Sequence, residues 1–368
     1  MKHIVIDARI RRASTGRYVD RLIEHLQNLD KTNNYTVLIN SSDSWRPKST
    51  NFNYSYCDYP QFSFNPISQL TFAWQLYKLR ADLVFFPMNQ QPLLYFKTTI
   101  TAVMDLTMLR FSRPGKHSKI FHIIRMQAYK FLFWYSLKKS KHILTISNFV
   151  KNDIVNSYPF VKSKITTTYC ASEPSISENP TKPIGISKPF VMHVGSPLPH
   201  KNIERLLKAF EILKQDYPEL KLVLAGKKEF FFNKLLNNEI RLNKYKNHII
   251  VPGFIDDNEL RWLYENAEAY VLPSLSEGFG LPGLEAMAHG TPLVSSNATC
   301  LPEVYGDAAY YFNPNNIGDM AEKISDVLSD EKLRQKLVNS GCRQLKKYSW
   351  EKMAQETLAV YEKILKED

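Results

Sequence analysis

Short apolar runs alternate with longer helix-period segments along most of the chain, and the alternation breaks only once. The run His3-Ile4-Val5-Ile6-Asp7 reads as a buried strand. Residues 18–29 follow it with apolar side chains at Val19, Leu22, Ile23, Leu26 and Leu29, the spacing of one helix face. Residues 35–39, 83–86, 100–104, 142–146 and 165–169 are further strand candidates. Between Glu173 and Pro189 the pattern stops, and prolines at 174, 180, 183 and 189 mark a linker. A second series then begins, with strands at 190–194, 221–225, 248–251, 269–272 and 292–295 and helices at 202–216, near 229–243, at 257–267 and at 282–289.

Repeated strand-helix units put helices on both faces of a parallel sheet. The expected architecture is therefore α/β, two tandem Rossmann-like, doubly wound domains. Their expected extents are residues 1–172, a linker at 173–189, and residues 190–349. Helices near 317–346 and 350–366 carry no sheet signal, and the segment 350–368 can pack back on the first domain. In open α/β sheets ligands bind where the carboxyl ends of strands feed helix N-termini, so two such domains facing across a cleft would clamp a ligand between them.

Composition narrows the class. At 368 residues, with 44% hydrophobic and 23% charged side chains, the chain can build real cores and is neither disordered nor collagenous. Cys57, Cys170, Cys300 and Cys342 lie far apart, with no C-x-x-C pair, so neither zinc nor disulfides are expected. No apolar run approaches the ~20 residues of a membrane-spanning helix, and the opening MKHIVIDARI meets charge too soon for a signal peptide. A cytoplasmic protein is expected. The net charge of +12 is unevenly spread. Residues 1–172 hold 24 Lys and Arg against 9 Asp and Glu, whereas the remainder holds 24 against 27. The N-terminal half should meet something anionic, and charge alone admits nucleic acid, a phospholipid surface or a phosphate-bearing substrate.

Two stretches carry chemistry. The first is Pro273-Ser274-Leu275-Ser276-Glu277-Gly278-Phe279-Gly280-Leu281-Pro282-Gly283-Leu284-Glu285. It leaves a strand, passes a glycine turn and enters a helix with proline in its first turn, where the missing N–H costs nothing. The amides of that helix start form an anion site. Glu277 before it and Glu285 about one turn inside it can reach the hydroxyls of a polyol ligand, the alternative being two solvated glutamates on a capped turn. The second stretch is Val194-Gly195-Ser196-Pro197-Leu198-Pro199-His200-Lys201-Asn202. Lys201 sits beside the positive end of the next helix, a misplaced cation unless an anion lies between them or its ammonium reaches water. A diphosphate fits there.

Together with Gly253-Phe254-Ile255-Asp256-Asp257-Asn258-Glu259-Leu260, Pro302-Glu303-Val304, Asp7-Ala8-Arg9, Thr15-Gly16-Arg17-Tyr18 and Ser147-Asn148-Phe149-Val150-Lys151, these motifs resemble the retaining GT-B glycosyltransferases of family 4 (group 1), of the mannosyltransferase-like kind. The resemblance covers nearly the whole chain and is densest over residues 190–315. It implies a nucleotide-sugar donor whose diphosphate lies against Gly195, Ser196, Lys201 and the amides of Gly278, Phe279, Gly280 and Leu281, with Gly16 and Arg17 contributing from the other domain. It further implies Glu285 on the ribose, Glu277 on the transferred sugar, and Gly253 and Phe254 beside the base. Glu277, Lys201 and Asp105 are the implied catalytic residues.

The chain departs from the family's common pattern in two places. His200 and Ser196 stand where many relatives carry a base, so one diphosphate contact is either missing or supplied by Arg17. Met104 replaces a histidine before Asp105-Leu106, which leaves Asp105 as an acceptor-side residue or the cap of a turn.

The implied reaction proceeds through an oxocarbenium-like state, with the leaving diphosphate stabilised by fixed N–H groups and a lysine, and without metal or cofactor. Asp256 and Glu259 read as a capping box rather than metal ligands. His289, one turn beyond Glu285, reads as a helix-end residue. Residues 110–151 hold ten Lys and Arg and no acid, and residues 120–137 are apolar on more than one face. Such a helix either lies on an anionic bilayer or is an ordinary buried helix with solvated basic ends.

The expected function is transfer of a hexose, mannose from GDP-mannose, to a glycan or lipid-linked acceptor in lipopolysaccharide or other surface polysaccharide biosynthesis. The enzyme would work peripherally on the inner face of the cytoplasmic membrane and would have no nucleic-acid partner. The alternatives are a UDP-sugar-dependent glucosyl- or N-acetylglucosaminyltransferase, a GT-B sugar-nucleotide epimerase, and a non-catalytic basic module for membranes or nucleic acid.

Overall fold

The computed structural model describes residues 1–11, 16–59, 65–89, 91–111, 119–173, 179–226 and 230–367. Thr15 and Pro174 of the linker lie outside the described residues, as do residues 112–118 of the basic stretch. The chain divides into two compact units. One comprises Met1–Cys170 with Ser349–Asp368, the other Ala171–Tyr348.

In the first unit the elements run β1 (His3–Asp7), α1 (Gly16–Leu29), β2 (Asn34–Ile39), β3 (Phe52–Tyr56), α2 (Pro66–Lys78), β4 (Leu83–Phe86), β5 (Thr99–Val103), α3 (Thr107–Arg110), α4 (Lys119–Lys139), β6 (His142–Thr145), α5 (Asn148–Ser157) and β7 (Ile165–Thr167). The described strands form one parallel sheet in the order β3-β2-β1-β4-β5-β6-β7. Helices cover both faces of such a sheet, so its central strands are apolar without alternation: Ile4, Val5 and Ile6 of β1 and all of β4 are buried. Val19, Leu22, Ile23 and Leu26 of α1 are buried as their 3-4 spacing requires, each removal from water contributing roughly 1.5–3 kcal/mol. Ser147 caps α5 by accepting from the Val150 N–H at 3.2 Å.

The second unit runs β8 (Phe190–Val194), α6 (Ile203–Asp216), β9 (Lys221–Ala225), α7 (Phe230–Leu235), β10 (Ile249–Gly253), α8 (Asp257–Asn266), β11 (Ala269–Leu272), α9 (Leu281–Ala288), β12 (Leu293–Ser296), α10 (Leu301–Tyr305), β13 (Ala309–Phe312), α11 (Ile317–Ser329) and α12 (Glu331–Leu345). Its described strands are again all parallel, in the order β10-β9-β8-β11-β12-β13. The last helix, α13 (Trp350–Glu367), belongs to the first unit, where it packs on α1 and buries Trp350, Met353, Tyr361 and Ile364.

Four expectations about elements need correction. The expected helix near 317–346 is two helices, because the Asp330 side chain accepts from the Leu333 N–H and starts α12 afresh. The helix near 229–243 is shorter than expected and ends in a π turn over Leu236–Ile240. Strand β3 was missed because it is an edge strand of polar and aromatic residues with one buried side chain. Strand β13, at the other sheet's edge, was missed because only Ala309 and Phe312 of its four residues are buried.

Candidate active site

Each sheet reverses its strand order once, between β1 and β4 in the first unit and between β8 and β11 in the second. The carboxyl ends of the strands flanking such a switch point are where doubly wound sheets bind ligands. In the second unit those ends carry the two motifs already singled out, Gly195 to Asn202 after β8 and Pro273 to Gly280 after β11.

The two loops are tied together by Asn202. Its backbone is left-handed (φ 60°), a conformation that asparagine tolerates better than most residues, and it opens α6 without capping it. Instead its Nδ2 donates to the carbonyls of Pro273 at 2.9 Å and Pro314 at 2.8 Å, while the Leu275 N–H donates to the His200 carbonyl at 2.7 Å. The loop after β8 is thereby pinned to the loops after β11 and β13.

This pinning brings Lys201 and Glu277 together. The Lys201 Nζ lies 2.6 Å from Glu277 Oε1, with 19% and 11% of the two side chains exposed. The anion expected beside Lys201 is thus supplied in part by the chain itself. Glu277 is held on every side. Ser274 Oγ donates to its carboxylate at 2.6 Å, its own N–H donates to Thr299 Oγ1 at 3.1 Å, and the Cys300 thiol meets its carbonyl at 3.2 Å. Burial alone would raise the Glu277 carboxyl, but the Lys201 charge and the bonds from Lys201 and Ser274 outweigh it and hold the group below the usual carboxylate range.

After Glu277 the chain enters α9, whose N-cap is Gly280 at φ +84° with no side-chain cap. Tyr305, fully buried, donates its hydroxyl to the Gly280 carbonyl, and its phenol end occupies the space in which a Cβ at Gly283 would stand, while the Tyr305 hydroxyl and a Leu301 methyl occupy that of a Cβ at Gly280. Gly283 is therefore dictated by Tyr305, and Gly280 by Tyr305, Leu301 and its own left-handed backbone. Pro282 falls in the first turn. The start of α9 is thus a positively polarised end, reached three residues after Glu277.

Glu285 stands inside α9, where its Oε2 accepts from the Tyr264 hydroxyl at 3.0 Å, and Tyr264 stacks on His289 with ring centroids 5.3 Å apart. His289 Nδ1 lies 2.8 Å from the Glu285 carbonyl, in keeping with a helix-end role. Gly253 ends β10 and Phe254 follows it with 72% of its surface exposed. Asp256 and Glu259 form the expected capping box of α8. In the first unit Gly16 opens α1 and Arg17 follows it, exposed. Asp105 accepts from the Thr107 N–H at 2.7 Å just after β5, the turn-capping role weighed for it.

The structure adds residues that the sequence did not single out. Ser274, Thr299, Cys300 and Tyr305 fix the Glu277 to Gly283 loop, and only Ser274 left a local signal, three residues before the glutamate it bonds. His193 on β8 is buried, its Nδ1 2.9 Å from the Val271 carbonyl. Its Nε2 has no partner among the described residues, and burial pushes the imidazole down to about 4, so it stays neutral.

The sequence profile described as Glycosyl transferases group 1 matches residues 178–344, which contain all the second unit's loops described above. The chain carries a group 1 glycosyltransferase domain. Two curated relatives named as mannosyltransferases are similar to the chain in sequence. It is 33% identical to O-antigen chain mannosyltransferase B of Escherichia coli over 238 residues, 61% of each chain. It is 30% identical to O-antigen chain mannosyltransferase RfbU of Salmonella typhimurium over 199 residues, 54% of each chain. The chain thus spans less than two thirds of the length of either relative. Among solved structures, sucrose-phosphate synthase from Thermosynechococcus elongatus superposes with a TM-score of 0.76 over 100% of both chains at 16% identity. That likeness shows the fold, GT-B, as the motifs implied.

Proposed function

We propose that this group 1 glycosyltransferase transfers mannose from GDP-mannose, with retention of anomeric configuration, to a glycan or lipid-linked acceptor in O-antigen-type polysaccharide biosynthesis. The observation that carries the reading is the Lys201–Glu277 pair, with Glu277 three residues ahead of the N-cap of α9, which has no side-chain cap. An ammonium has three protons, and Glu277 is the one described partner of Lys201, so the same group can also meet the leaving diphosphate. As the glycosidic bond breaks, charge grows on that diphosphate, and Lys201 with the amides of residues 278–281 stabilises it more in the transition state than in the ground state. Glu277 contacts the sugar, Glu285 the ribose, and the exposed Phe254 ring lies against the base. The choice of mannose rests on the two mannosyltransferase relatives.

Within this reading the two glutamates fail differently. Glu285→Ala should raise the donor KM about tenfold through lost ribose hydrogen bonds, whereas Glu277→Gln should lower kcat by about 10²-fold with less effect on KM, because its partner changes charge during reaction. Steady-state kinetics on both variants checks the split, and a Glu277→Gln enzyme with wild-type kcat would remove it from the catalytic set. The product's anomeric configuration, read by NMR, tests retention: an α-linked product from the α-linked donor is expected, and a β-linked product overturns it.

The reaction needs no metal, since the lysine and fixed amides carry the leaving-group charge. Full activity in excess chelator is the expected outcome, and strict dependence on an added divalent cation contradicts it. No described helix is long and apolar enough to cross a membrane. We place the protein peripherally, on the inner face of the cytoplasmic membrane, through its basic N-terminal half.

A further inference from the structure

The first unit leaves a continuous apolar ridge unburied. Helix α2 turns Phe72, Ala73 and Leu76 into the core beside Val5, Val84 and Phe86. Its outer stripe, Ile67, Leu70, Trp74 and Tyr77, is exposed, Ile67 by 69% and Trp74 by 60%. The 3-4-3 spacing puts these four side chains in one row.

At the end of that row the Tyr77 hydroxyl donates to the Leu94 carbonyl at 3.2 Å and accepts from the Phe96 N–H at 2.9 Å. The segment carrying Leu94 and Phe96, both exposed, is thus clipped to α2. On its other side the Tyr135 hydroxyl of α4 donates to the Leu93 carbonyl at 2.8 Å. Tyr135 stacks with exposed Phe131, whose ring faces exposed Trp134 with centroids 6.0 Å apart. Exposed Ile124, seven residues before Phe131, extends the same face of α4. A ridge of this extent exceeds the scattered apolar residues of an ordinary surface.

Its surroundings are cationic. Lys78 Nζ lies 3.2 Å above the Trp74 ring and Lys138 Nζ 5.1 Å above the Trp134 ring. Residues 59–152 hold thirteen Lys and Arg against two acids, Asp82 and Asp105. Beside Phe96 a cavity of about 520 Å³ is lined by Lys2, Lys97, Lys139 and Lys141, with Asp82 the one carboxylate on its wall. It opens at the amino ends of β1, β4, β5 and β6, the end of the sheet opposite the loops after β1 and β4. Burial lowers the Lys139 ammonium to about 8, which leaves it mostly charged at neutral pH, and an anion in the cavity would raise it again.

We propose that α2, the Leu94 and Phe96 segment and α4 form one surface that enters the headgroup region of an anionic phospholipid bilayer, the lysine cavity taking a lipid phosphate. Aromatic and aliphatic side chains flanked by lysines are the chemistry that such an interface selects. This deepens the peripheral reading given above and extends it from α4 to α2.

The test is tryptophan quenching in the whole chain by vesicles of phosphatidylcholine, with or without phosphatidylglycerol, brominated on the acyl chains. Wild type, Trp74→Phe, Trp134→Phe and the double variant are compared, with unchanged thermal unfolding as the folding control. Quenching by the anionic vesicles is expected to fall in each single variant and to vanish nearly completely in the double one. Lys97→Gln with Lys139→Gln should weaken vesicle affinity by about fivefold per lysine. Quenching that is unchanged in Trp74→Phe overturns the two-helix surface while leaving the peripheral reading intact. Absence of vesicle binding overturns both, and a dimer in buffer that shields Trp74 shows instead that the ridge joins two copies of the chain.

Discussion

Lys201→Met should lower kcat/KM by about 10²–10³-fold, the cost typical of removing one preorganised donor from a developing anion. The same change should destabilise the second unit by about 2–3 kcal/mol, because Glu277 is left nearly buried without its partner. The loss is smaller than for a fully buried pair because Lys201 keeps 19% of its side chain exposed. The double variant Lys201→Met with Glu277→Gln removes both charges and should recover most of that stability while remaining as inactive as the single variant. Thermal unfolding and steady-state kinetics on all three chains separate the two roles. Activity that returns with stability would make the pair a structural device only.

The pair also has an acid limit. The folded carboxyl of Glu277 titrates below its unfolded value of about 4.3, so its contribution to stability is complete above that pH and is lost as pH falls through the lower folded value. In Glu277→Gln this part of the acid transition should flatten.

The second large effect concerns the space that Tyr305 fills. Gly283 has helical backbone, so Gly283→Ala is opposed by the Tyr305 ring alone and should cost about 1–3 kcal/mol by overpacking. Gly280 has φ +84° as well as the Tyr305 hydroxyl and a Leu301 methyl against it, so Gly280→Ala carries about 1–3 kcal/mol of backbone strain on top. Both variants should bind donor several-fold more weakly, since the amides of residues 278–281 move. Pairing each with Tyr305→Leu in a double-mutant cycle distinguishes them. Coupling should relieve most of the cost at 283 and only part of it at 280. Equal relief at both positions would show that neither the Gly280 backbone conformation nor Leu301 adds to the cost.

What the sequence made legible was local or periodic. The strands β1, β8, β9 and β11 stand out as short apolar runs because both sheet faces are covered, and Asp256 with Glu259 announces its capping box within four residues. The Glu277 and Glu285 flanks of the glycine turn were readable for the same reason. The edge strands β3 and β13 were not, since half-buried polar strands carry no such run. The contacts that hold the site arise from distant parts of the chain. Thr299, Cys300 and Tyr305 reach the Glu277 to Gly283 loop from the segment after β12, and Asn202 reaches Pro273 and Pro314, which no spacing reveals. Lys201 was recognised as a cation in want of an anion, yet that Glu277 would be that partner depended on how two loops meet. On α2, a helix apolar on two sides, periodicity could not say which face holds Phe72 inside and which leaves Trp74 out.

The central claim, that Lys201 and the start of α9 receive a nucleotide-sugar diphosphate, is tested most directly by titrating the whole chain with GDP-mannose, UDP-glucose and UDP-N-acetylglucosamine while following thermal unfolding. A ligand that binds the native state stabilises it by mass action, by about 2.7 kcal/mol at a hundred times its Kd. The expected result is stabilisation by GDP-mannose, weaker effects from the UDP-sugars, and loss of the response in Lys201→Met. A folded wild-type chain that none of the three stabilises, or a response that survives undiminished in Lys201→Met, would contradict it.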